Sequence, residues 1–256
     1  MIDIAIRAAR AAGQIMAERY NKPHEVSVKG LRDIVTDADL ACEEAAVQVI
    51  LQEAPESVLV TEESFHAQTN NGSSPTWYID PIDGTTNFAR GLPMFCVSVA
   101  MGVHGQIQCG VIYDPLLDHL FSAERGKGAF LNGQRLSVSD TKEMIDSVIL
   151  LDWPRDQKLR ETSARFVSRL AGRVDTIRSR GSAAEAICYV AAGWCEAYFQ
   201  YTLSPWDVAA ASLIAEEAGA QITDLHAQPC TLDSPSWLVS NGQVHERILS
   251  FEPFQE

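Results

Sequence analysis

The sequence predicts a mixed fold in which an antiparallel-rich α+β half is followed by an α/β half. In the first half, apolar runs at Phe95–Val103 and Ile107–Tyr113 are joined by His104-Gly105, which predicts an antiparallel hairpin. A second hairpin is predicted around the turn signal Asn132-Gly133. From Ser147 onward, short apolar runs and helical patterns alternate, which is typical of α/β folds.

The length and composition suit one large domain or two tightly joined halves. The chain has 256 residues, of which 46% are hydrophobic, so it can bury a large core. The most linker-like piece, His66–Pro75, is short and polar and predicts a surface loop. We therefore predict a single unit, residues 1–256, with an α+β half at 1–145 and an α/β half at 146–256.

The first half begins with two predicted helices. Apolar residues from Ile2 to Tyr20 recur at three- and four-residue spacing, which predicts an amphipathic helix. A second helix is predicted to begin at Thr36 and to end at Pro55. The residues predicted on its buried face are Leu40, Val47, Ile50 and Leu51.

Short extended segments are predicted between and after these helices. Val26–Lys29 is followed by a glycine-bearing basic loop at Lys29–Arg32, which suits either an anion or a plain surface turn. Val58–Val60 predicts a short strand that leads into Glu62-Glu63. In the second half, we predict strands at 148–151, 174–178 and 197–201, and helices at 159–170, at 182–192 and from Trp206.

The formal net charge of −14 restricts the partners of the protein. Nucleic acids and anionic membranes attract a basic protein face, so bulk charge argues against both as partners. A phosphorylated small molecule would have to be bound by local features. Bound divalent cations would provide them, because they make a carboxylate cluster attractive to an anion.

The cysteines and the N-terminus predict a cytoplasmic protein. The six cysteines are scattered without a C-x-x-C pair and lie mostly in apolar runs, as expected of small buried residues in a reducing compartment. The first twenty residues include Asp3 and spaced arginines. They therefore lack the basic start and continuous apolar core of a signal peptide.

The stretch Trp77–Phe88 (WYIDPIDGTTNF) places two carboxylates in one predicted bend. A buried strand is predicted to end before Asp80, because Asp-Pro followed by Asp-Gly favours a sharp turn. Thr85 and Thr86 are predicted to cap a short helix whose free N–H groups suit a phosphate. Clustered carboxylate oxygens suit Mg²⁺, although Asp80 and Asp83 are equally compatible with ordinary turn residues.

Other acidic residues have purely structural interpretations. Asp39 completes a capping box with Thr36, and Asp207 is the third residue after Ser204, the predicted cap of the last long helix. Glu62-Glu63 follows a predicted strand, where a solvated edge is the ordinary explanation. From these residues alone, no chemistry is required at any of the positions.

The stretch Trp77–Phe88 closely resembles the signature of the inositol monophosphatase family, whose members are Mg²⁺-dependent, lithium-sensitive phosphatases. A second stretch, Trp206-Asp207 with small residues after it and Glu217-Ala218-Gly219 at its end, is similar to the family's second signature. The resemblance extends from about Lys29 to about Asp224. It implies a layered αβαβα sandwich of the sugar phosphatase type.

The resemblance also implies a site that holds two to three Mg²⁺ ions. The implied metal ligands are Glu62, Asp80, the Ile82 carbonyl, Asp83 and Asp207, with Asp80 bridging two ions. Asp39 and Thr85 would orient and deprotonate the attacking water. The implied substrate contacts are Asp83, Gly84, Thr85, Gly181, Ser182, Ala183, Gln200 and Asp207.

The activity implied by the resemblance is hydrolysis of a small phosphate monoester with no covalent intermediate. The Thr-Thr-Asn-Phe form of the first signature favours inositol monophosphate. Alternative substrates are fructose 1,6-bisphosphate, histidinol phosphate and a 3′-phosphonucleotide, and a non-catalytic regulatory protein could share the fold. The histidines lie outside these motifs, which argues against histidine-phosphate or Ser-His-Asp chemistry. The family also implies a homodimer.

One position departs from the family pattern. Inositol phosphatases commonly have a Glu at the end of the strand before the Trp-Asp helix, whereas this chain has Gln200. A neutral amide accepts weaker hydrogen bonds from inositol hydroxyls than a carboxylate does, and it tolerates a more anionic ligand. Arg180 would add a cation nearby, unless it forms an ordinary salt bridge. We therefore predict a permissive enzyme that accepts inositol monophosphate and other polyol or sugar phosphates.

Overall fold

A computed structural model describes residues 1–64 and 74–251 of the chain. Helices and strands are interspersed along these residues. The predicted loop at His66–Pro75 lies outside these residues, apart from Ser74 and Pro75. In the described residues, the α-helices are α1 (Ile2–Arg19), α2 (Asp37–Glu53), α3 (Thr85–Ala89), α4 (Gln157–Leu170), α5 (Ala183–Ala191), α6 (Pro205–Glu217) and α7 (His245–Leu249).

A two-stranded hairpin and a seven-stranded sheet make up the strands of the first half. The hairpin pairs β1 (Val26–Gly30) with β2 (Asp33–Thr36). The sheet contains, in spatial order, β3 (Val58–Thr61), β4 (Thr76–Asp83), β5 (Cys96–Val103), β6 (Gln106–Asp114), β7 (His119–Glu124), β8 (Gly128–Leu131) and β9 (Gln134–Arg135). Only the β3–β4 pair among these seven strands is parallel. Both predicted hairpins are confirmed, since β5–β6 and β8–β9 turn at residues with positive φ.

The second sheet has five strands and is mixed. Its strands are β10 (Val148–Leu151), β11 (Thr176–Ser179), β12 (Ala197–Tyr201), β13 (Gln221–Thr223) and β14 (Ser236–Ser240). Their spatial order is β11, β10, β12, β14, β13. The predicted α/β alternation is confirmed for β10, β11 and β12, which are parallel. The antiparallel β13 and β14 were not predicted, because β13 has only three residues and a turn-rich segment separates the two strands.

Three hydrophobic cores join the layers. Helices α1 and α2 cover one face of the seven-stranded sheet, α5 and α6 lie between the two sheets, and α4 and α7 cover the outer face of the second sheet. The alternation of side chains along β5 shows this division, since Val97 and Val99 face α1 and α2 whereas Cys96 and Ala100 face the middle layer. The predicted layered αβαβα sandwich is therefore confirmed.

The predicted buried face of α2 is partly wrong. Leu40 and Leu51 are 54% and 38% exposed. The face that packs against α1 carries mainly small residues, with Ile50 at its end: Ala38, Cys42, Ala46 and Ile50. Helix α1 presents alanines in return, so the two helices approach closely and small side chains fill the contact that the leucines were expected to fill.

Two further features are the state of the cysteines and the character of the helices. All six cysteines have free thiols, and five are buried whereas Cys230 is partly exposed. Within residues 1–64 and 74–251, no helix combines the length and the apolar character that a bilayer crossing requires.

Candidate active site

The central strand β4 is longer than predicted. It continues through Asp80 and Pro81 to Asp83, and its pairing with β5 is irregular between Asp80 and Asp83. The prediction that the strand ends before Asp80 is therefore wrong. Pairing with β3 on one side and β5 on the other outweighs the local turn preference of Asp-Pro, and the irregularity accommodates the proline.

Gly84 connects β4 to α3 and directs Thr85 into the site. Its φ of 103° lies in the left-handed region, and a Cβ at this position would lie 2.9 Å from the Met94 carbonyl oxygen, so glycine is required. Gly84 is also the N-cap of α3, and no side chain caps this helix. The prediction that Thr85 and Thr86 cap α3 is thus wrong. The Thr85 hydroxyl instead lies 2.9 Å from Asp39 Oδ1 and 3.0 Å from the Ile82 carbonyl oxygen.

The two carboxylate oxygens of Asp39 have different partners. Oδ2 accepts hydrogen bonds from the Thr36 N–H at 2.8 Å and the Thr36 hydroxyl at 2.5 Å, so the predicted capping box is confirmed. Oδ1 accepts the hydrogen bond from Thr85. Burial raises the pKa of Asp39, although the hydrogen bonds from both threonines oppose the shift. Capping therefore leaves one oxygen of Asp39 available to Thr85.

Neighbouring strands and α6 bring four carboxylates together. Glu62 follows β3, and its N–H donates to the Ile79 carbonyl at 3.2 Å, which places it beside Asp80. Ser98 pairs with Asp80 across β4 and β5 and donates to the Trp206 carbonyl at 2.9 Å, which holds the start of α6 and Asp207 at the same place. We call Glu62, Asp80, Asp83 and Asp207 the carboxylate cluster.

The members of the carboxylate cluster repel one another. Burial and the charges of Glu62, Asp83 and Asp207 raise the pKa of Asp80 well above its usual range. Burial and the charge of Asp207 do the same for Asp83. Burial raises the pKa of Asp207 to about 7, although the hydrogen bond from the Ser204 N–H and the charge of Arg155 oppose the shift. A cation placed among these groups would relieve the repulsion.

The cluster supplies the right donors for Mg²⁺ without forming a closed ligand set. Within the described ranges, no three acidic, histidine or cysteine side chains are already arranged around one ion position. The donors are nevertheless hard carboxylate oxygens, which Mg²⁺ prefers. The charges of Glu62, Asp83 and Asp207 all act on Asp80, so the four side chains share one small region of the molecule. The cluster therefore fits a divalent cation by its chemistry and its charge.

The N-terminus of α5 faces the cluster. Asp83 Oδ2 accepts hydrogen bonds from the Ser182 hydroxyl at 2.8 Å and from the Ala184 N–H at 2.6 Å. A Cβ on Gly84 would lie 3.2 Å from the Gly181 carbonyl oxygen, so the turn after β4 touches the segment before α5. Ala183, the first residue of α5, is buried at this contact. The structure thus brings Gly84, Thr85, Gly181, Ser182 and Ala183 together with Asp83.

Gln200 lies on β12 beside Tyr198. Its Oε1 accepts a hydrogen bond from the Tyr198 hydroxyl at 2.9 Å. Burial raises the pKa of Tyr198, and the charges of Asp152, Asp83 and Asp207 add to the shift. Gln200 therefore stands near the margin of the carboxylate cluster, where a neutral amide avoids adding another negative charge.

Arg180 forms a salt bridge, which is the ordinary role that the sequence analysis left open for it. Its Nη2 lies 2.6 Å from Glu185 Oε2, and its guanidinium stacks 4.3 Å from the centre of the Tyr189 ring. Only 19% of its side chain is exposed. Arg180 is therefore engaged in a salt bridge beside α5.

Several contacts at the site were not predicted from the sequence. Lys29 Nζ lies 3.0 Å from Glu62 and 2.7 Å from Glu63, and the basic loop that contains it forms the β1–β2 turn. Asp152 Oδ1 accepts from the Gly181 N–H at 2.5 Å. Asp152 could have been found, because it directly follows a predicted strand of the α/β half, where binding residues commonly lie. Lys29 belongs to the basic loop that the sequence analysis assigned to an anion or a plain surface turn, but neither Lys29 nor Arg155 has a local pattern that predicts an acidic partner.

Comparison with known proteins places these features in a family. The model of the inositol monophosphatase family matches residues 1–252. A Nus factor SuhB of Pasteurella multocida is 38% identical over 98% of this chain and 94% of its own length. An inositol monophosphatase of Dictyostelium discoideum is 34% identical over 95% of this chain and 92% of its own. The chain belongs to the inositol monophosphatase family.

Solved structures support the same assignment. The extragenic suppressor protein suhB of Bartonella henselae superposes with a TM-score of 0.94 at 32% identity, covering 99% of this chain and 98% of that one. The Staphylococcus aureus IMPase-II, at 28% identity and a TM-score of 0.81 over 97% of this chain and 91% of that one, is described with bound inositol monophosphate. The same protein is also described with bound 2′-AMP, in a structure with 26% identity and a TM-score of 0.79 over 97% and 90%.

The raised carboxyl pKa values predict how stability depends on pH when divalent cations are removed. Burial raises the pKa of Glu63 to about 7, and Asp207 reaches the same value, from usual values of 4.5 and 3.8. The raised pKa values therefore stabilise the folded state at pH values below the usual pKa values of these groups. This stabilisation is lost as the pH rises through about 7. In EDTA, we expect Tm to fall by roughly 5 °C between about pH 5.5 and about pH 8.

Saturating Mg²⁺ should remove most of this fall, because the cation favours the ionised carboxylates. The pKa of His245 is lowered by burial, so its effect has the opposite sign, and it cancels when the two pH profiles are subtracted. Parallel profiles with and without Mg²⁺ would contradict the prediction.

Proposed function

We propose that the chain is a Mg²⁺-dependent phosphatase that hydrolyses a small phosphate monoester, namely inositol monophosphate or a related polyol or sugar phosphate. The observation that carries the proposal is the placement of the Asp39–Thr85 hydrogen bond next to the carboxylate cluster. A buried carboxylate that accepts a hydrogen bond from a half-buried threonine, beside a set of candidate cation ligands, matches the needs of phosphoryl transfer to water.

The carboxylate cluster and the Ile82 carbonyl would hold the metal. Glu62, Asp80 and Ile82 are proposed for one ion, and Asp80, Asp83 and Asp207 for a second, with a weaker third ion near Glu62. When bound, the ions would supply positive charge that stabilises the charge developing on the phosphoryl group and on the leaving oxygen.

Asp39 and Thr85 are the residues that would move the proton. A water next to Thr85 would give a proton to the Thr85 oxygen as the Thr85 proton passes to Asp39 Oδ1. The raised pKa of Asp39 makes it a better base near neutral pH. The water oxygen bonds to phosphorus as the bond from phosphorus to the ester oxygen breaks, and the leaving alkoxide takes a proton from solvent water to become the alcohol. No covalent enzyme intermediate is involved.

The substrate would be held between the turn after β4 and the start of α5. Backbone N–H groups at Gly84 and Thr85 would bind phosphate oxygens, and the segment Gly181–Ala183 would line the other side. Asp83, Asp207 and Gln200 would accept hydrogen bonds from substrate hydroxyls. We propose that the enzyme is a cytoplasmic homodimer with a small phosphorylated metabolite as its partner.

Gln200→Glu tests the proposed specificity. A charged acceptor contributes more to a hydrogen bond than a neutral amide, so we expect kcat/KM to shift by roughly tenfold toward inositol monophosphate and away from more acidic substrates. Gln221→Glu makes the same change at an exposed position on β13 and serves as the matched control. An unchanged ratio of the two efficiencies would show that Gln200 does not line the pocket.

Lithium provides a second test, which depends on the family assignment. We expect Li⁺ to replace one weakly held Mg²⁺ after the chemical step and to slow product release. Inhibition should then be uncompetitive or mixed with respect to substrate in steady-state assays. Indifference to about tens of millimolar Li⁺, well above the need of a weak cation site, would place the chain outside the lithium-sensitive branch.

A non-catalytic regulatory protein is the second candidate function. The observation that favours it is the name Nus factor SuhB, which the relative from Pasteurella multocida carries. A panel of phosphate monoesters assayed with Mg²⁺ separates the two candidates, since a regulatory protein releases no phosphate. The panel should contain inositol monophosphate, fructose 1,6-bisphosphate, histidinol phosphate and a 3′-phosphonucleotide, so that it also ranks the alternative substrates.

A further inference from the structure

Two side chains hold opposite ends of one peptide unit just before α5. The unit is the peptide bond between Arg180 and Gly181. Asp152 Oδ1 accepts a hydrogen bond from the Gly181 N–H at 2.5 Å, and Asn87 Nδ2 donates to the Arg180 carbonyl oxygen at 2.7 Å. We call Asp152, Asn87 and this peptide unit the peptide clamp.

The two side chains of the peptide clamp come from different halves of the chain. Asn87 lies on α3, shortly after the turn that follows β4, whereas Asp152 comes directly after β10. Leu151, the last residue of β10, pairs with Ser179, the last residue of β11. Asp152 therefore stands next to the end of β11, and its Oδ1 also accepts the Ser179 hydroxyl at 2.8 Å. The clamp thus fixes the start of α5 relative to both sheets.

The peptide clamp is buried and closely fitted. Asp152 is 7% exposed and Asn87 is 8% exposed. Gly181 has a φ of 74°, and a Cβ at this position would lie 2.8 Å from Asn87 Nδ2, so the close approach requires glycine. Asn87 Nδ2 also donates to the Met94 carbonyl oxygen at 2.7 Å. Both hydrogens of that amide nitrogen are therefore used, which fixes the orientation of the side chain.

The peptide clamp determines how the start of α5 faces the carboxylate cluster. The hydroxyl of Ser182 donates to Asp83 Oδ2 at 2.8 Å, and the Ala184 N–H donates to the same oxygen at 2.6 Å. A rotation of the clamped peptide would move both donors, because they follow Gly181 closely along the chain. The segment Gly181–Ala183, which we propose as one wall of the substrate site, would move with them.

Fold stability alone explains the carboxylate of Asp152 poorly. Its Oδ2 is buried and has no hydrogen-bond partner of normal geometry among the described residues. A buried polar atom without a partner destabilises the folded state. A carboxylate, however, accepts hydrogen bonds that are about twice as strong as those of a neutral group. The arrangement is therefore better suited to fixing the Gly181 N–H than to stabilising the fold.

We propose that Asp152 is a positioning residue, which keeps the start of α5 in place for substrate binding by holding the Gly181 N–H. Asn87 is its counterpart at the other end of the peptide unit. The proposal rests on the proposed phosphatase function and adds a residue to its substrate site. The segment before α5 would contact the substrate equally in the ground state and in the transition state. Its displacement should therefore raise KM and leave kcat nearly unchanged.

Steady-state kinetics with inositol monophosphate and saturating Mg²⁺ test the proposal. Asp152→Ala should raise KM by about tenfold and keep kcat within about threefold of the wild type. Asp152→Asn retains an oxygen that can accept the Gly181 N–H, so its KM should stay within about threefold of the wild type. If Asp152→Asn raises KM as much as Asp152→Ala does, the hydrogen bond to Gly181 is not the cause and the proposal is wrong.

Asn87→Ala tests the other end of the same peptide unit, also in case Asp152→Ala does not fold. It should raise KM by about tenfold as well. Because the two side chains hold one unit, the double variant should raise KM by less than the product of the two single effects. A rise equal to that product would mean that Asp152 and Asn87 act independently, which would contradict the peptide clamp.

Asp114→Ala is the matched control. Asp114 is a buried aspartate whose Oδ1 accepts the N–H groups of Leu116 and Leu117 and whose Oδ2 likewise has no hydrogen-bond partner of normal geometry among the described residues. Its loss should lower Tm to an extent similar to that in Asp152→Ala without raising KM. Equal rises of KM in the two variants would show that Asp152 only supports the fold.

Two measurements without turnover keep this proposal distinguishable from the proposed function. Hydrogen exchange at the Gly181 amide, followed by NMR, should accelerate at least about tenfold in Asp152→Ala and stay slow in Asp152→Asn. Inositol monophosphate is titrated calorimetrically with Mg²⁺ into Asp39→Asn protein, with and without Asp152→Ala, and Kd should rise about tenfold with the second substitution.

The outcomes separate the two proposals. If the wild type hydrolyses no monoester, the proposed function fails, and the calorimetric affinities still test the peptide clamp. The clamp proposal fails if Gly181 exchanges faster in Asp152→Ala while the affinity and KM stay unchanged. It also fails if inositol monophosphate does not bind to protein with an intact clamp.

Discussion

Asp80→Asn should lower kcat about a thousandfold and leave the fold intact, corresponding to a loss of about 4 kcal/mol of transition-state stabilisation. The charges of the other three cluster carboxylates all act on Asp80, which makes it the shared member of the cluster. The asparagine retains an oxygen that can accept the Ile82 N–H, as Asp80 Oδ1 does at 3.0 Å. The measurements are kcat at saturating Mg²⁺ and Tm in EDTA.

The Tm in EDTA should rise, because the substitution removes one of several buried charges that repel one another. Asp114→Asn is the matched control. Asp114 is also a buried aspartate that accepts backbone N–H groups, from Leu116 and Leu117, and its charge is not among those that raise the pKa of the cluster carboxylates. Near-normal turnover in Asp80→Asn would remove the proposed metal site.

Asp207→Asn should lower turnover by about a hundredfold or more, with a stability change of at most about 1 kcal/mol. Asp207 Oδ2 accepts the Ser204 N–H at 2.7 Å, and the asparagine oxygen can keep this capping bond. Helix capping alone predicts unchanged turnover, whereas loss of a metal ligand predicts low turnover in a protein of normal stability. Turnover and Tm measured on the same preparation separate these outcomes.

Asp156→Asn controls for capping. Asp156 is the N-cap of α4 and accepts the Leu159 N–H at 2.9 Å, and it is not a member of the carboxylate cluster. Both variants should keep their stability, and only Asp207→Asn should lose activity. Equal activity in the two variants would mean that Asp207 is only a capping residue.

Sequence signals that act over a few residues predicted their structures well. The capping box of Thr36 and Asp39 and the turn at Asn132-Gly133 each depend on neighbours within about four positions, and both formed as predicted. The Trp77–Phe88 stretch also identified the family, because its length makes a chance match improbable. The alternation of strands and helices predicted the α+β and α/β halves, and the order of the layers followed from the family resemblance.

Features that depend on distant pairing could not be predicted in the same way. The end of β4 was placed too early, because its partners on β3 and β5 are separate in sequence and hold Asp80 to Asp83 in the sheet. The contact of Lys29 with Glu62 spans 33 positions, and that of Arg32 with Gln157 spans 125. A basic residue in a loop has no local pattern that predicts its partner, so these two contacts became apparent only from the structure.

Asp39 was interpreted both as a helix-capping residue and as a residue of the candidate site, and the structural explanation does not exclude the chemical one. Thr36 uses Oδ2 and Thr85 uses Oδ1, so one carboxylate serves the helix start and the candidate site together. Asp83 resembles it, since its Oδ2 accepts hydrogen bonds at the start of α5 while its charge belongs to the cluster. Sequence patterns assign a residue one role at a time and miss such sharing.

A titration of Mg²⁺ into EDTA-treated protein, with release of phosphate from inositol monophosphate as the readout, tests the central claim most directly. The account predicts no release before Mg²⁺ is added, and a saturable return of activity in the wild type that Asp80→Asn fails to show. Release that is unaffected by EDTA would contradict the claim that the carboxylate cluster acts by holding Mg²⁺. Absence of release at every Mg²⁺ concentration, together with a Mg²⁺-dependent rise in Tm, would show a cation-binding protein that is not an inositol monophosphatase.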